Sequence, residues 1–138
     1  MSWNSYVETL EKGVCKYAAI VGRTDDSSPL AVWAESADKS SLNPGAAELI
    51  SAATSVVKND NSVMGNGIVL GGVKFACIRF EMDTLICQGK ADCKDYSLIF
   101  SSTGKVCLIG FNPDAEVKTP KVREAVDNMR DWLKNAGY

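Results

Sequence analysis

Residues 74–110 read KFACIRFEMDTLICQGKADCKDYSLIFSSTGKVCLIG. Four strand-like runs stand out: Lys74 to Glu81, Thr84 to Gln88, Tyr96 to Ser101 and Lys105 to Gly110. They are rich in β-branched, aromatic and other apolar residues, as strands are. Met82-Asp83 and Ser102-Thr103-Gly104 are short enough for hairpin turns. Parallel neighbours need crossovers of a dozen residues or more, so this spacing predicts antiparallel pairing. Upstream, Asn66-Gly67 and Gly71-Gly72 are turn or bulge signals, and the meander is expected to begin near Val63.

On either side the periodicity changes. Asn43-Pro44 suggests a helix start, with Asn as N-cap and Pro at the first helical position. Ala46, Leu49, Ile50, Ala53, Val56 and Val57 then recur three and four apart, and Lys58 to Ser62 ends the run. Tyr17 to Gly22 and Leu30 to Ala34 are apolar strands joined by the polar turn Arg23 to Pro29. Ser2 to Lys12 reads as a helix capped by Ser2 and closed by Gly13, with Trp3, Val7 and Leu10 at helical spacing. Pro120 to Ala136 reads as the last helix, with Thr119 as N-cap. Val122, Ala125, Val126, Met129 and Leu133 form its apolar face, Trp132 borders that face, and Gly137 ends the helix. The order helix, hairpin, helix, meander, helix predicts an α+β domain around an antiparallel sheet.

Bulk composition narrows the function. At 138 residues the simplest organisation is one domain, residues 1–138. A hydrophobic content of 46% with 23% charged residues is ordinary for a soluble protein. No apolar run is long enough to cross a bilayer, and the start Met1-Ser2-Trp3-Asn4 has neither basic n-region nor apolar h-region. A cytosolic location is the default expectation. A net charge of -2 argues against a nucleic-acid partner.

There is no histidine, which removes the commonest general base and the base of Ser-His and Cys-His pairs. Five cysteines (Cys15, Cys77, Cys87, Cys93 and Cys107) lack C-x-x-C spacing. They read as reduced thiols, and Cys77, Cys87 and Cys107 as small hydrophobes in strands. No metal site or cofactor is expected, and an enzyme is the least supported reading.

What remains is a set of aromatic residues at the chain ends. Trp3, Tyr6, Trp132 and Tyr138 lie close to the termini, and Trp33 in the second strand. Trp3 and Tyr6 are three apart on one helix, so their rings are neighbours. Large aromatics are on average core residues. If the two terminal segments lie side by side, however, the rings make an apolar strip with indole and phenol donors, which is what a polyproline II ligand docks onto. Among the basic residues, Lys74 and Arg79 lie an odd number of positions apart, so a regular strand puts them on opposite faces and only a bulge brings them together.

These residues resemble the profilin family. The opening Ser2-Trp3-Asn4-Ser5-Tyr6-Val7, then Ala19-Ile20-Val21-Gly22 and Val32-Trp33-Ala34, is similar to its N-terminal pattern. Gly67 to Phe75 with Ile78-Arg79 looks like its central strand pair, and Asp131-Trp132-Leu133 through Gly137-Tyr138 like its last helix and tail. The resemblance implies a central antiparallel sheet with the N- and C-terminal helices together on one face and a further helix on the other. It implies a cytoplasmic, cytoskeletal protein that binds monomeric actin on one side and proline-rich proteins such as formins on the other. The implied proline site is Trp3, Tyr6, Trp33, Trp132, Leu133 and Tyr138. The implied actin side is Lys74, Arg79, Lys90, Lys118, Arg123, Glu124 and Asp127. The family also binds phosphatidylinositol bisphosphate through basic patches. For this acidic chain, with a pI near 5.1, the implied lipid binding is weak, since each surface cation contributes only about 1 kcal/mol toward an anionic membrane. A proline-rich-peptide adaptor with little actin binding is the alternative.

Overall fold

The computed structural model describes residues 2–138. The chain runs α1 (Trp3–Lys12), β1 (Tyr17–Gly22), β2 (Ala31–Glu35), α2 (Ala46–Val57), α3 (Val63–Asn66), β3 (Ile68–Leu70), β4 (Val73–Glu81), β5 (Thr84–Gly89), β6 (Ser97–Ser102), β7 (Val106–Asn112) and α4 (Thr119–Asn135). Seven strands form one sheet in the order β2-β1-β7-β6-β5-β4-β3, every pair antiparallel. The meander expected from residues 74–110 is β4 to β7, and the β1–β2 hairpin extends it at the far edge.

The central strands β1, β6 and β7 are buried along their whole length, because helices cover both faces. Tyr17, Ala19 and Val21 point toward α2, with Leu49, Ala53 and Val56 beneath them. Ala18 and Ile20 point the other way, onto Val7 and Leu10 of α1 and Val122, Val126 and Leu133 of α4. The two terminal helices thus share one face and α2 holds the other. Gly110 in β7 sets how closely α4 approaches: a Cβ there would lie 2.4 Å from Val126 Cγ2 and 2.9 Å from Cys15 Sγ.

Several boundaries differ from those expected. The second helix starts at Ala46, not at Pro44, with Gly45 at its N-cap. The Glu48 carboxylate accepts from Gly45 N at 2.9 Å and from Gly71 N at 3.1 Å. This one-sided cap, in which the Glu48 side chain serves both the helix start and the β3–β4 turn, fixes the start after the proline. Ser2 occupies the N-cap of α1 without a side-chain capping bond; the Ser5 hydroxyl donates instead to Ser2 O at 2.6 Å. Lys118, not Thr119, is the N-cap of α4. The Thr119 hydroxyl is engaged with Ser97 Oγ at 2.7 Å, tying the helix start to β6. Residues 63–66, expected to open the meander, form the single helical turn α3.

The β4–β5 turn places two non-glycine residues in the left-handed region, Met82 at φ 52° and Asp83 at φ 63°. Such a conformation costs about 1 kcal/mol or more per residue and persists where neighbours hold it. Here Arg130 Nη1 donates to Met82 O at 3.0 Å, and Ser102 N donates to Asp83 O at 2.9 Å.

Candidate functional site: an aromatic strip and a cationic face

The aromatic residues of the two chain ends converge. Trp3 is the centre: its ring lies 5.4 Å from that of Tyr6, 4.8 Å from Trp33 and 5.0 Å from Tyr138, centroid to centroid. Tyr6 continues the row to Trp132 at 5.6 Å. All pairs are tilted or edge-on, the arrangements that aromatic quadrupoles favour. Trp132 and Tyr138 are 53% and 46% exposed, so this surface is open to solvent while Trp3, Tyr6 and Trp33 are half-buried. Among the described residues, no indole N–H or phenol O–H of the strip is engaged in a hydrogen bond, leaving donors free for a ligand.

Local chemistry sets each ring. Gly137, at φ 100°, turns the chain back at the end of α4. Gly137 N donates to Lys134 O at 3.1 Å and Tyr138 N to Leu133 O at 3.0 Å. This paired C-terminal motif folds Tyr138 onto Trp3. At the other edge Trp33 lies flat over Gly22: a Cβ on that glycine would meet three ring atoms at 2.7–2.8 Å. Leu133 departs from the expected list. It is fully buried among Val7, Ile20, Ala34 and Val126, so it supports the strip from beneath and offers a ligand no surface. An apolar groove of about 470 Å³ adjoins the strip between α1 and α4, where Tyr6 and Trp132 form part of its wall.

The cationic residues gather elsewhere. The β4–β5 register shifts between Cys77 and Arg79. Lys74 precedes this bulge and Arg79 follows it, so both reach the sheet face opposite to Phe75, Cys77 and Phe80, which pack toward α2. Lys90 is next to Lys74 along the backbone, its N–H donating to Lys74 O at 3.1 Å, while its ammonium is directed toward Gly67. Lys74, Arg79, Lys90, Lys118 and Glu124 are exposed. Val69, paired with Lys74 and 50% exposed, and Ile78, 55% exposed, add apolar area that sequence reading did not assign; Ile78 is outside because it sits in the bulge.

Arg123 and Asp127 are different in kind. Glu81 links to Arg123 at 2.9 Å and to Arg79 at 3.5 Å. The hydrogen bond from Arg123 holds the Glu81 carboxyl below its usual range, and the same bond raises the already high guanidinium value. Asp127 Oδ1 accepts from the Thr84 and Ser101 hydroxyls, both at 2.8 Å, while Oδ2 accepts from Arg123 Nε at 3.1 Å. Arg130 lies 4.0 Å away. Asp127, placed on the actin side by the resemblance, has its acceptor positions filled by the network that fastens α4 to β5 and β6. Arg123 remains 24% exposed and presents one edge.

The two surfaces are well apart. β2, which carries Trp33, and β4, which carries Lys74 and Arg79, are five strand intervals apart in the sheet order, or about 24 Å along it. On α4 the nine-residue step from Arg123 to Trp132 rises about 14 Å.

Residues 1–138 match the profilin family from end to end. The chain belongs to the profilin family. It is 30% identical to Profilin-1 of Entamoeba histolytica over 140 residues, covering the whole of both chains. Its fold matches the crystallised profilin of Schizosaccharomyces pombe with a TM-score of 0.77 at 29% identity, over 99% of this chain and all of that one. Mouse profilin IIa in complex with a double repeat from the FH1 domain of mDia1 matches with a TM-score of 0.76 at 25% identity over both entire chains. The sheet order and helix placement agree with the α+β profilin fold of these neighbours. Membership makes the chain an actin-binding and polyproline-binding protein of the cytoskeleton. Among the described residues no helix is long and apolar enough to cross a membrane.

Proposed function

We propose that the chain, acting in the cytoplasm as one folding unit, uses the two surfaces for the two partners of its family at once. The ring strip Trp3, Tyr6, Trp33, Trp132 and Tyr138 takes a polyproline II segment. Successive rings are 4.8–5.6 Å apart, and a polyproline II helix rises about 3.1 Å per residue, so the strip spans up to about five ligand residues. Such a ligand has no internal hydrogen bonds, and the free indole and phenol donors meet its carbonyls while the ring faces cover its pyrrolidines. The FH1 repeat bound to mouse profilin IIa makes formin segments the favoured ligand class.

The face bearing Lys74, Arg79, Lys90, Lys118, Arg123 and Glu124 takes monomeric actin at its barbed-end side. Occupying that side opposes spontaneous nucleation and pointed-end addition. Nucleotide exchange on actin speeds up only insofar as the chain binds the open-cleft form more tightly than the closed one. Phosphoinositide binding through the same cations is weak for an acidic chain. The separation of ring strip and cationic face carries this reading: each partner is engaged without displacing the other, and a proline-bound complex can be delivered to a growing filament end.

The actin half is tested by measuring how much actin stays unpolymerised at steady state as the chain is added. A rise in the monomer pool that is lost in Lys74→Glu/Arg79→Glu supports it. No rise with the unaltered chain overturns it and leaves a proline-rich-peptide adaptor.

A further inference from the structure

One feature of the β4–β5 hairpin is used by neither surface. The Met82-Asp83 turn pairs Glu81 with Thr84, Phe80 with Leu85 and Arg79 with Ile86. Continued without interruption, that register would set Ile78 opposite Cys87. The bulge at Ile78 shifts it by one, and Cys77 stands opposite Cys87 instead. Their sulfurs are 3.7 Å apart. Directly opposed residues of an antiparallel pair have Cα atoms about 4.5–5.5 Å apart, inside the disulfide range of about 4.4–6.8 Å. Rotation about χ1 with a small strand adjustment therefore brings the sulfurs to bonding distance.

The two thiols are not equivalent. Cys87 is fully buried, whereas Cys77 is 9% exposed. The hydrogen bond between the two sulfurs, aided by the nearby Lys90 charge, draws the Cys77 thiol below its usual range, and the same bond pushes Cys87 up. The less buried cysteine is thus also the one favoured as thiolate, which is the nucleophilic form. Cys107 differs on both counts: it is fully buried and its thiol is pushed up to about 12 by burial alone.

We propose that Cys77 and Cys87 form a reversible cross-strand disulfide when the protein meets a hydroperoxide, with Cys77 attacking and Cys87 resolving. The Cys77 thiolate displaces water from hydrogen peroxide, taking one proton from solvent for the leaving hydroxide, and becomes a sulfenic acid. The Cys87 thiol then attacks the Cys77 sulfur and a second water leaves. Two thiols and one peroxide yield one disulfide and two waters, and an external dithiol reverses the bond. The link pins β4 to β5 beside the bulge that sets Arg79 on the same face as Lys74.

The test is a peptide map of the native full-length chain after brief exposure to dilute hydrogen peroxide, catalase quench and alkylation with N-ethylmaleimide in denaturant. Trypsin separates the two cysteines into Phe75–Arg79 and Phe80–Lys90. The expected product is these two peptides joined, released by dithiothreitol, with Cys15 and Cys107 recovered alkylated. In Cys87→Ser, Cys77 should accumulate as a sulfenic acid trapped by dimedone. If that variant does not fold, the map of the unaltered chain decides alone. Full alkylation of both cysteines, a disulfide involving Cys93, or oxidation of Cys77 without cross-linking in the unaltered chain would each overturn the proposal.

Discussion

The Trp33 ring of β2 rests on the bare Cα of Gly22 in β1 and against the Trp3 ring of α1 at 4.8 Å. One strand, one helix and one missing side chain thereby set the edge of the aromatic strip.

Gly22→Ala should move that edge without unravelling the fold. The new methyl would lie 2.7 Å from the Trp33 ring, and the ring, half-buried at the sheet edge, gives way outward. The overpacking cost is about 1–3 kcal/mol. Poly-L-proline affinity should fall several-fold while far-ultraviolet circular dichroism stays unchanged. Unaltered affinity would mean that Trp33 takes no part in the ligand surface.

Trp3→Ala removes the ring that touches three others. Interface tryptophans of this kind carry about 2 kcal/mol or more, so affinity for proline-rich peptide should fall about 30-fold or further. Because Trp3 is half-buried and Val7 and Leu10 hold α1 to the core, the stability loss should stay near 1–2 kcal/mol. Circular dichroism checks this: loss of the fold would make Trp3 a core residue and remove the groove.

Asp127→Ala should act on stability. It leaves the Thr84 and Ser101 hydroxyls and the Arg123 and Arg130 guanidiniums short of their shared acceptor. Losing such a network costs about 2–3 kcal/mol. Glu124→Ala on the same helix is exposed and should change stability by no more than about 0.5 kcal/mol. Urea denaturation of the two variants checks the contrast; equal midpoints would show that Asp127 is an ordinary surface carboxylate.

Stability should also fall at alkaline pH. Burial pushes the Cys15 and Cys107 thiols from a usual 9.0 up to about 12. Between those values the unfolded chain ionises while the folded chain keeps its protons, so the folded state binds more protons and stability declines as pH rises. The contribution is complete below pH 9 and is lost toward pH 12, with a slope of up to about 1.4 kcal/mol per pH unit for each thiol. Denaturation midpoints measured across that window should drop. In Cys107→Ala the drop should be shallower, and a flat profile in the unaltered chain would contradict the burial argument.

What the sequence discloses and what it conceals follow from the range of the interactions. Two-residue turns and apolar runs are local, so β4 to β7 and the amphipathic α1 and α4 are visible in the residues themselves. The aromatic strip is visible only in part: Trp3 and Tyr6 are neighbours at three-residue spacing on one helix, but composition alone favours a core role for the tryptophans, and their convergence depends on how the two terminal helices meet. The start of α2 is not visible, because its cap reaches from Glu48 to Gly71, 23 residues on. Nor is the fate of Asp127, whose partners lie on β5 and β6, or of Leu133, whose burial depends on how α1 and α4 meet. The bulge at Ile78 hides most. Sequence reading admits it as a possibility, but its position aligns Lys74 with Arg79, exposes Ile78 and sets Cys77 opposite Cys87 in one step.

The most direct test of two independent faces is a tryptophan-fluorescence titration with poly-L-proline, alone and with saturating monomeric actin. All three tryptophans lie in the strip. A saturable change with the same midpoint is expected in both titrations. A change that actin abolishes would place both partners on one surface, and no change in either titration would return the tryptophans to a purely structural role.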